Sequence, residues 1–282
     1  MVKMQALQGE YRMPDRYGVI GHPIAHSKSP IIHRLFAEQT AQDIEYVAWD
    51  IPAAELPERV RALIADDVRG LNVTVPHKSA IVDLMDACTE RARLAGAVNT
   101  VIAENDGSLT GDNTDGIGLI RDLQQNLDLK LQDRRILVLG AGGASRGIVP
   151  ALLETGPKKL RIANRSIDRA RELAGRFGEL GQVSACRFDE LGGQQFDVVI
   201  NATSAGLTGD RPPFPGSIVH GQVVCYDLSY AMVDTPFIAW ARSQGAEQTH
   251  QGWGMLVEQA AESFYLWRGV RPETGPVRRR LP

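Results

Sequence analysis

Short apolar runs alternate with amphipathic stretches along most of the chain. Residues 17–21 (Tyr-Gly-Val-Ile-Gly) read as a short buried strand, and residues 22–29 are polar and turn-like. The pair Ser29-Pro30 predicts a helix to about Thr40, with Ser29 as N-cap and proline in the first helical position. Residues 44–50 predict a second strand and 53–65 a helix. Leu71–Val75 predicts a third strand stopped by Pro76, followed by a helix to about Met85. Residues 97–104 and 108–111 alternate about Asn105-Asp106-Gly107, a hairpin turn signal.

A second pattern follows a helix expected near 115–127. Residues 135–139 (Arg-Ile-Leu-Val-Leu) form an apolar strand that runs into Gly140-Ala141-Gly142-Gly143-Ala144 and then a helix to about 154. A strand at 159–163, a helix at 166–177, and further apolar runs at 196–200 and 223–226 come next. Uninterrupted apolar strands that alternate with helices imply a parallel sheet covered on both faces. The stretch from Gly254 to Trp267 is a long amphipathic helix. Its stripe of Met255, Leu256, Ala260, Phe264 and Trp267 reads as core, with Gln259 projecting beside it.

Length and composition narrow this picture. At about 150 residues per domain, 282 residues favour two domains. Apolar residues at 43% and charged residues at 23% are those of a folded globular chain. A formal net charge of -3 gives no electrostatic reason for a nucleic-acid partner, and Arg278-Arg279-Arg280 reads as a solvated tail. Cys88, Cys186 and Cys225 are odd in number and widely spaced, which argues against a disulfide framework and fits a reducing compartment. No apolar run is long enough to span a membrane, and the first 16 residues, read as a loose extension, lack an apolar signal core. The expected location is the cytoplasm.

The glycine run at 140–144 stands between a strand and a helix, where a phosphate loop belongs. The first glycine permits a tight turn, the second lets backbone approach a pyrophosphate, and the helix start supplies free N–H groups. Ser145 occupies the place of the usual third glycine. An NAD site normally carries a carboxylate at the end of the following strand. Here that strand ends in Asn164-Arg165-Ser166, with Asp168 past its end. A guanidinium with a hydroxyl beside it suits a phosphate, so the expected cofactor is NADP and not NAD.

Other polar residues gather where strands and loops meet helices in the first half. Ser27 and Ser29 place two hydroxyls at a helix start, an anion site, although serine before proline is also a routine cap. Asn72 and Thr74 share a strand face by the period of two. Lys78 follows Pro76 and is a candidate acid/base, while a lone lysine more often lies on the surface. Asp115 stands where it would cap the helix it starts. His22, His26 and His33 do not complete a metal set, because Pro23 breaks the helical spacing and no acidic ligand joins them, so no metal is expected. His77 reads as a local packing or hydrogen-bonding residue.

Taken together, the segments Gly21-to-Pro30 (GHPIAHSKSP), Asn72-to-Lys78 (NVTVPHK), Gly96-to-Thr100 (GAVNT), Gly111-to-Asp115 (GDNTD), Gly140-to-Gly147 (GAGGASRG) and Asn201-to-Gly206 (NATSAG) occur in the order found in shikimate dehydrogenases. Gly254-Met255-Leu256 with Gln259-Ala260-Ala261 also resembles that family's last helix, so the resemblance runs from about Tyr17 to about Gly269. It implies an α/β protein with an N-terminal α/β substrate domain and a Rossmann-like parallel-sheet NADP domain. The C-terminal helix would return to the first domain, giving residues 1–114 with 252–282 as the discontinuous substrate domain and 115–251 as the cofactor domain. The implied reaction, a step of aromatic amino-acid biosynthesis, is the reversible NADPH-dependent reduction of 3-dehydroshikimate to shikimate. Ser27 and Ser29 would hold the substrate carboxylate. Asn72, Thr74, Asn99, Asp115, Tyr230 and Gln259 would bind or orient the ring hydroxyls, and Lys78 would be the acid/base with Asp115 beside it. Gly140, Ala141, Gly142, Gly143 and Ala144 would meet the pyrophosphate. Asn164, Arg165, Ser166 and Arg169 would meet the adenosine 2′-phosphate, and Thr203, Leu228 and Gly252 would complete the cofactor contacts.

Departures from the family pattern are the N-terminal extension, His22 where asparagine is common, and Trp253 where a smaller aliphatic is frequent. The implied partner is a small-molecule substrate, with no nucleic acid and no membrane, in a monomer or homodimer. Two rival readings are a quinate/shikimate dehydrogenase of broader specificity and a non-catalytic NADP-binding regulator on the same scaffold. Arg165 disfavours an NAD-preferring enzyme, and Lys78 with Asp115 disfavours a regulator, which has no need of a proton donor.

Overall fold

The structure, a computed structural model, describes residues 13–203 and 214–281. Residues 1–12 of the expected extension and the last three residues of the Asn201-to-Gly206 motif lie outside the described residues.

The first sheet is mixed, in the order β2-β1-β3-β5-β6-β4. Its strands are β1 (Asp15–Gly21), β2 (Ile44–Asp50), β3 (Val68–Val73), β4 (Ala87–Cys88), β5 (Thr100–Ala103) and β6 (Leu109–Asp112). β1 pairs in parallel with β2 and β3, and β5 is antiparallel to both β3 and β6. Crossovers are made by α1 (Ser29–Thr40) and α2 (Leu56–Ala65), and α3 (Glu90–Ala95) precedes the β5–β6 hairpin. The buried core under this sheet includes Ile20, Ile51, Val60, Leu71, Ile81, Val98 and Val101.

The second sheet is wholly parallel, with order β12-β11-β10-β7-β8-β9. Its strands are β7 (Arg135–Leu139), β8 (Lys159–Ala163), β9 (Val183–Cys186), β10 (Val198–Asn201), β11 (Val224–Asp227) and β12 (Gln248–Gln251). Relabelled in chain order this is 3-2-1-4-5-6, the doubly wound arrangement whose ligand crevice opens where the order reverses, between β7 and β10. α4 (Asp115–Arg121), continued by a π-helical turn at Asp122–Asn126, leads into this unit. α5 (Gly143–Glu154), α6 (Ile167–Arg176) and α7 (Pro236–Ser243) pack on its faces.

α8 (Trp253–Arg268) leaves the second sheet and buries Val257, Ala260, Ala261 and Phe264 against Ile32 and Phe36 of α1, with Val277 of α9 (Thr274–Arg278) in the same cluster. α8 also lies along α4, and α4 lies along α5. None of the helices among the described residues is long and apolar enough to cross a membrane.

Several local expectations are corrected. Lys28, and not Ser29, is the N-cap of α1, since Ser29 already has helical backbone, and the Lys28 side chain makes no capping bond. β3 ends at Val73 and so does not contain Thr74: Pro76 offers no N–H, and the chain turns so that His77 N–H donates to Thr74 O at 2.9 Å. The segment after Lys78 is a 3-10 helix at Ala80–Leu84 in place of an α-helix. The first strand begins at Asp15, inside the expected loose extension. Arg278 is not simply solvated. It ends α9 with its Nε buried 4.0 Å from a Glu258 carboxylate oxygen, while Arg279 and Arg280 are exposed.

Candidate active site

Lys78 and Asp115 come from different elements and meet. The Lys78 ammonium donates to Asp115 Oδ2 at 2.6 Å, with side-chain exposures of 17% and 4%. Lys78 stands just past the turn that ends β3, and Asp115 is the first residue of α4, after N-cap Thr114. The chain reaches that position through the β5–β6 hairpin, which sets β6, and hence residues 113–115, beside β5. The carboxylate is nearly inaccessible and fixes the ammonium, which keeps some exposure, an arrangement that can serve acid/base chemistry.

Asparagine and hydroxyl groups fix the carboxylate. Asn99 Nδ2 donates to Asp115 Oδ1 at 2.8 Å, and Asn113 Oδ1 accepts from Asp115 N–H at 3.1 Å. The other face of the Asn99 amide accepts from Thr114 N–H at 2.8 Å and from the Thr100 hydroxyl at 2.9 Å. Gln259, on α8, brings its Oε1 within 3.4 Å of Asn99 Nδ2 and is half-buried. Lys78, Asp115, Asn99 and Gln259 therefore form one cluster.

Asn72 adjoins that cluster, its Nδ2 donating to Asn99 O at 3.3 Å. It is 6% exposed, accepts from the Tyr46 hydroxyl at 2.7 Å, and donates to Ser263 Oγ at 2.9 Å. Thr74 is half-buried at the turn, with its N–H donating to Ile20 O at 2.9 Å. Ser27 is half-buried, and its Oγ accepts from Ser29 N–H at 3.3 Å, while Ser29 is buried at the start of α1. Tyr230 packs on Trp253 with ring centroids 4.4 Å apart, and burial raises its phenol above the ordinary range.

The glycine run lies next to the acid pair. Gly140 has φ of +105°, which only glycine adopts without strain, and a Cβ there would sit 3.0 Å from Ala202 O. The Ser145 hydroxyl donates to Gly140 O at 2.8 Å and is fully buried, so it braces the turn from within. At Gly142 a Cβ would meet nothing within 4 Å, and at Gly143 it would meet Lys78 Cβ at 3.8 Å. The start of α5 thus offers unobstructed backbone to an anion, close beside the lysine. Across the crevice, Thr203 donates from its hydroxyl to Asn201 Oδ1 at 2.7 Å. A side chain at Gly252 would overlap the Leu228 carbonyl, so those two residues present backbone to each other.

Just past the end of β8, Arg165, Ser166 and Arg169 are exposed, and Asn164 Nδ2 donates to Ser166 O at 2.9 Å. Asp168 is directed elsewhere, 3.9 Å from Arg171 and 89% exposed. The open space over Gly142 and this arginine-lined strand end fit a phosphorylated dinucleotide.

The histidines have separate duties. His22 Nδ1 lies 2.5 Å from Asp50, and His77 Nε2 lies 2.7 Å from Ile51 O. His33 is fully buried and stacked on Tyr46 at 4.1 Å, and burial lowers its pKa to about 3.

Sequence reasoning missed Tyr46, Ser263, Asn113 and the ion network at Glu262. Ser263 was findable, because it lies one helical turn beyond Gln259 on an otherwise apolar face. Glu262 accepts from Arg91, Arg121 and Arg271, and Arg91 also grips Asp112 through two bonds of 2.6 Å. Nothing in the local pattern joins those five residues.

Known proteins resemble this chain over most of its length. The family described as shikimate dehydrogenase substrate binding domain matches residues 19–101, shikimate / quinate 5-dehydrogenase matches 122–208, and shikimate 5′-dehydrogenase C-terminal domain matches 252–281. A shikimate dehydrogenase (NADP(+)) of Thioalkalivibrio sulfidiphilus is 54% identical over 263 residues, 93% of this chain and 96% of that protein. Among solved structures, the Ael1 enzyme from Pseudomonas putida superposes with a TM-score of 0.87 at 45% identity, covering 95% of this chain and 98% of the other. Shikimate 5-dehydrogenase from Thermus thermophilus, solved with NADP(H) and shikimate, gives 0.83 at 34% identity, over 94% and 98% of the two chains.

Proposed function

Because the chain belongs to the shikimate dehydrogenase family, we propose that it catalyses the reversible NADPH-dependent reduction of 3-dehydroshikimate to shikimate, with Lys78 as proton donor and Asp115 as its partner. The observation that carries this reading is the 2.6 Å pair of Lys78 and Asp115 beside the glycine loop. When bound, NADPH supplies a hydride to the ring carbonyl carbon. Lys78 gives a proton from Nζ to the carbonyl oxygen as negative charge builds there, and takes it back from the hydroxyl in the reverse direction. Asp115 holds the ammonium in line, and Asn99 holds Asp115. Ser27 and Ser29 receive the substrate carboxylate at the start of α1, while Thr74, Asn99, Tyr230 and Gln259 orient the ring. Asn72, which is bonded to Tyr46 and Ser263, orients the ring with them.

The loop from Gly140 to Ala144 receives the pyrophosphate, and Asn164, Arg165, Ser166 and Arg169 the 2′-phosphate. Thr203, Leu228 and Gly252 line the nicotinamide end. Residues 1–114 with 252–282 form the substrate unit and 115–251 the cofactor unit.

The test is oxidation of shikimate and of quinate, each with NADP and with NAD, followed at the absorbance of the reduced cofactor. Shikimate with NADP is expected to be the fastest pair. Comparable rates with quinate would convert the reading to an enzyme of broader specificity, and no turnover with any pair would refute it.

A further inference from the structure

We propose that Gly147, on the cofactor unit's helix α5, is a positioning residue for the Lys78–Asp115 pair: the absence of a side chain there sets where the Asp115 carboxylate stands. The inference rests on the proposed roles of Lys78 and Asp115 and adds to them a residue that acts through Asp115.

Gly147 lies one helical turn past Gly143. A Cβ at 147 would stand 3.0 Å from Asp115 Oδ2, 3.0 Å from Asn113 Oδ1 and 3.1 Å from Asp115 Cβ. Oδ2 is the oxygen that accepts from Lys78. Contacts that tight require the neighbour to move by a few tenths of an ångström, and the surroundings determine what can move. Asn113 is held, because its Nδ2 donates to Ala97 O at 2.9 Å and its Oδ1 accepts from Asp115 N–H. The α4 backbone is held on both sides. A Cβ at Gly116 would be 2.7 Å from Ala151 Cβ and 2.7 Å from Gly147 O, so α4 and α5 are already in backbone contact. A Cβ at Gly118 would be 2.6 Å from Gln259 Cβ and 2.8 Å from its N, so retreat from α5 drives α4 into α8. The part left to yield is therefore the Asp115 side chain, which is held by side-chain bonds from Asn99 and Lys78 and must shift against them, away from the position in which it meets Lys78. Through three glycines, the packing of α4 keeps the acid pair, the phosphate helix and Gln259 in a common register.

The experiment compares Gly147→Ala, Asp115→Asn, the double variant and Gly175→Ala, a glycine on α6 whose Cβ would meet nothing within 4 Å. Alanine has the higher helix propensity, which favours folding of both glycine variants. Titration with NADPH counts folded sites, so turnover is expressed per competent site. Gly147→Ala is expected to lower kcat at least about tenfold with the dissociation constant of NADPH and the KM for shikimate within about threefold. In the Asp115→Asn background it should lower kcat less than about twofold further, and Gly175→Ala should leave kcat unchanged. A purely structural glycine would lower the number of competent sites and leave kcat per site intact, which overturns the proposal. A loss of NADPH affinity matching the loss of kcat overturns it too, as does an undiminished effect of Gly147→Ala in the Asp115→Asn background. If Asp115→Asn alone turned over at the full rate, the role assigned to Asp115 would fall first, and the role of Gly147 with it.

Discussion

In the proposed reaction the Lys78 ammonium transfers a proton only if it is aimed, and two residues aim it. Asp115 Oδ2 at 2.6 Å aims it, and Asn99 at 2.8 Å from the other oxygen keeps the carboxylate from turning. Lys78→Ala is expected to reduce kcat by at least about a hundredfold with NADPH binding little changed, measured by steady-state kinetics and fluorescence titration. Arg165 stands exposed at the end of β8, the place where an NAD site would hold a carboxylate. Arg165→Ala should weaken NADPH about tenfold or more and NADH hardly at all; equal losses would remove the guanidinium from the 2′-phosphate. His33 shows the cost of burying a base. Its pKa of about 3 lies below the ordinary value of 6.5, so the unfolded chain takes up a proton that the folded chain refuses. Stability attributable to this residue is complete above about pH 6.5 and falls by up to about 1.4 kcal/mol per unit as pH drops from there toward about 3. Urea unfolding between about pH 7 and about pH 5 should show that slope in the parent and lose it in His33→Phe.

Elements are joined here by ions as well as by apolar faces. Glu262 on α8 binds Arg91 of α3, Arg121 of α4 and Arg271 of the segment before α9, and Arg91 binds Asp112 at the end of β6. Burial alone would raise the Glu262 carboxyl, but Arg271 and Arg121 outweigh it and hold it below the ordinary range. A depressed carboxyl contributes stability above its unfolded value, and that contribution is lost as pH falls through the folded one. Glu262→Gln is therefore expected to cost about 1–3 kcal/mol at about pH 7 and to show a shallower loss of stability below about pH 4.5, read from unfolding curves at several pH values. The cost stays below that of a wholly buried charge because Arg91 and Arg271 still reach water, with exposures of 35% and 40%.

At the scale of the molecule, α8 starts at the last strand of the parallel sheet and ends in the hydrophobic core of the first unit. Phe264 is fully buried against Phe36, at a centroid distance of 5.7 Å, and lies next in sequence to Ser263 of the polar network. Phe264→Ala should cost about 3–5 kcal/mol in urea unfolding and should lower turnover in the surviving fold, because Gln259 rides on the same helix. How much of this was legible follows from the range of each interaction. The glycine run after β7, the arginine in place of a carboxylate, the alternation of apolar strands with helices and the ordered motifs are local signals, and they sufficed to read an α/β fold of two units and a phosphorylated dinucleotide as cofactor. The boundaries at Ser29, Thr74 and Ala80 were misjudged because capping, strand ends and 3-10 geometry depend on hydrogen bonds that local pattern does not specify. Contacts between distant segments set Asn72 against Tyr46 and Ser263, gather three arginines at Glu262 and bring Gly147 against Asp115. Asn72 alone joins partners 26 and 191 positions away, and no periodicity of strand or helix encodes a distance between such points.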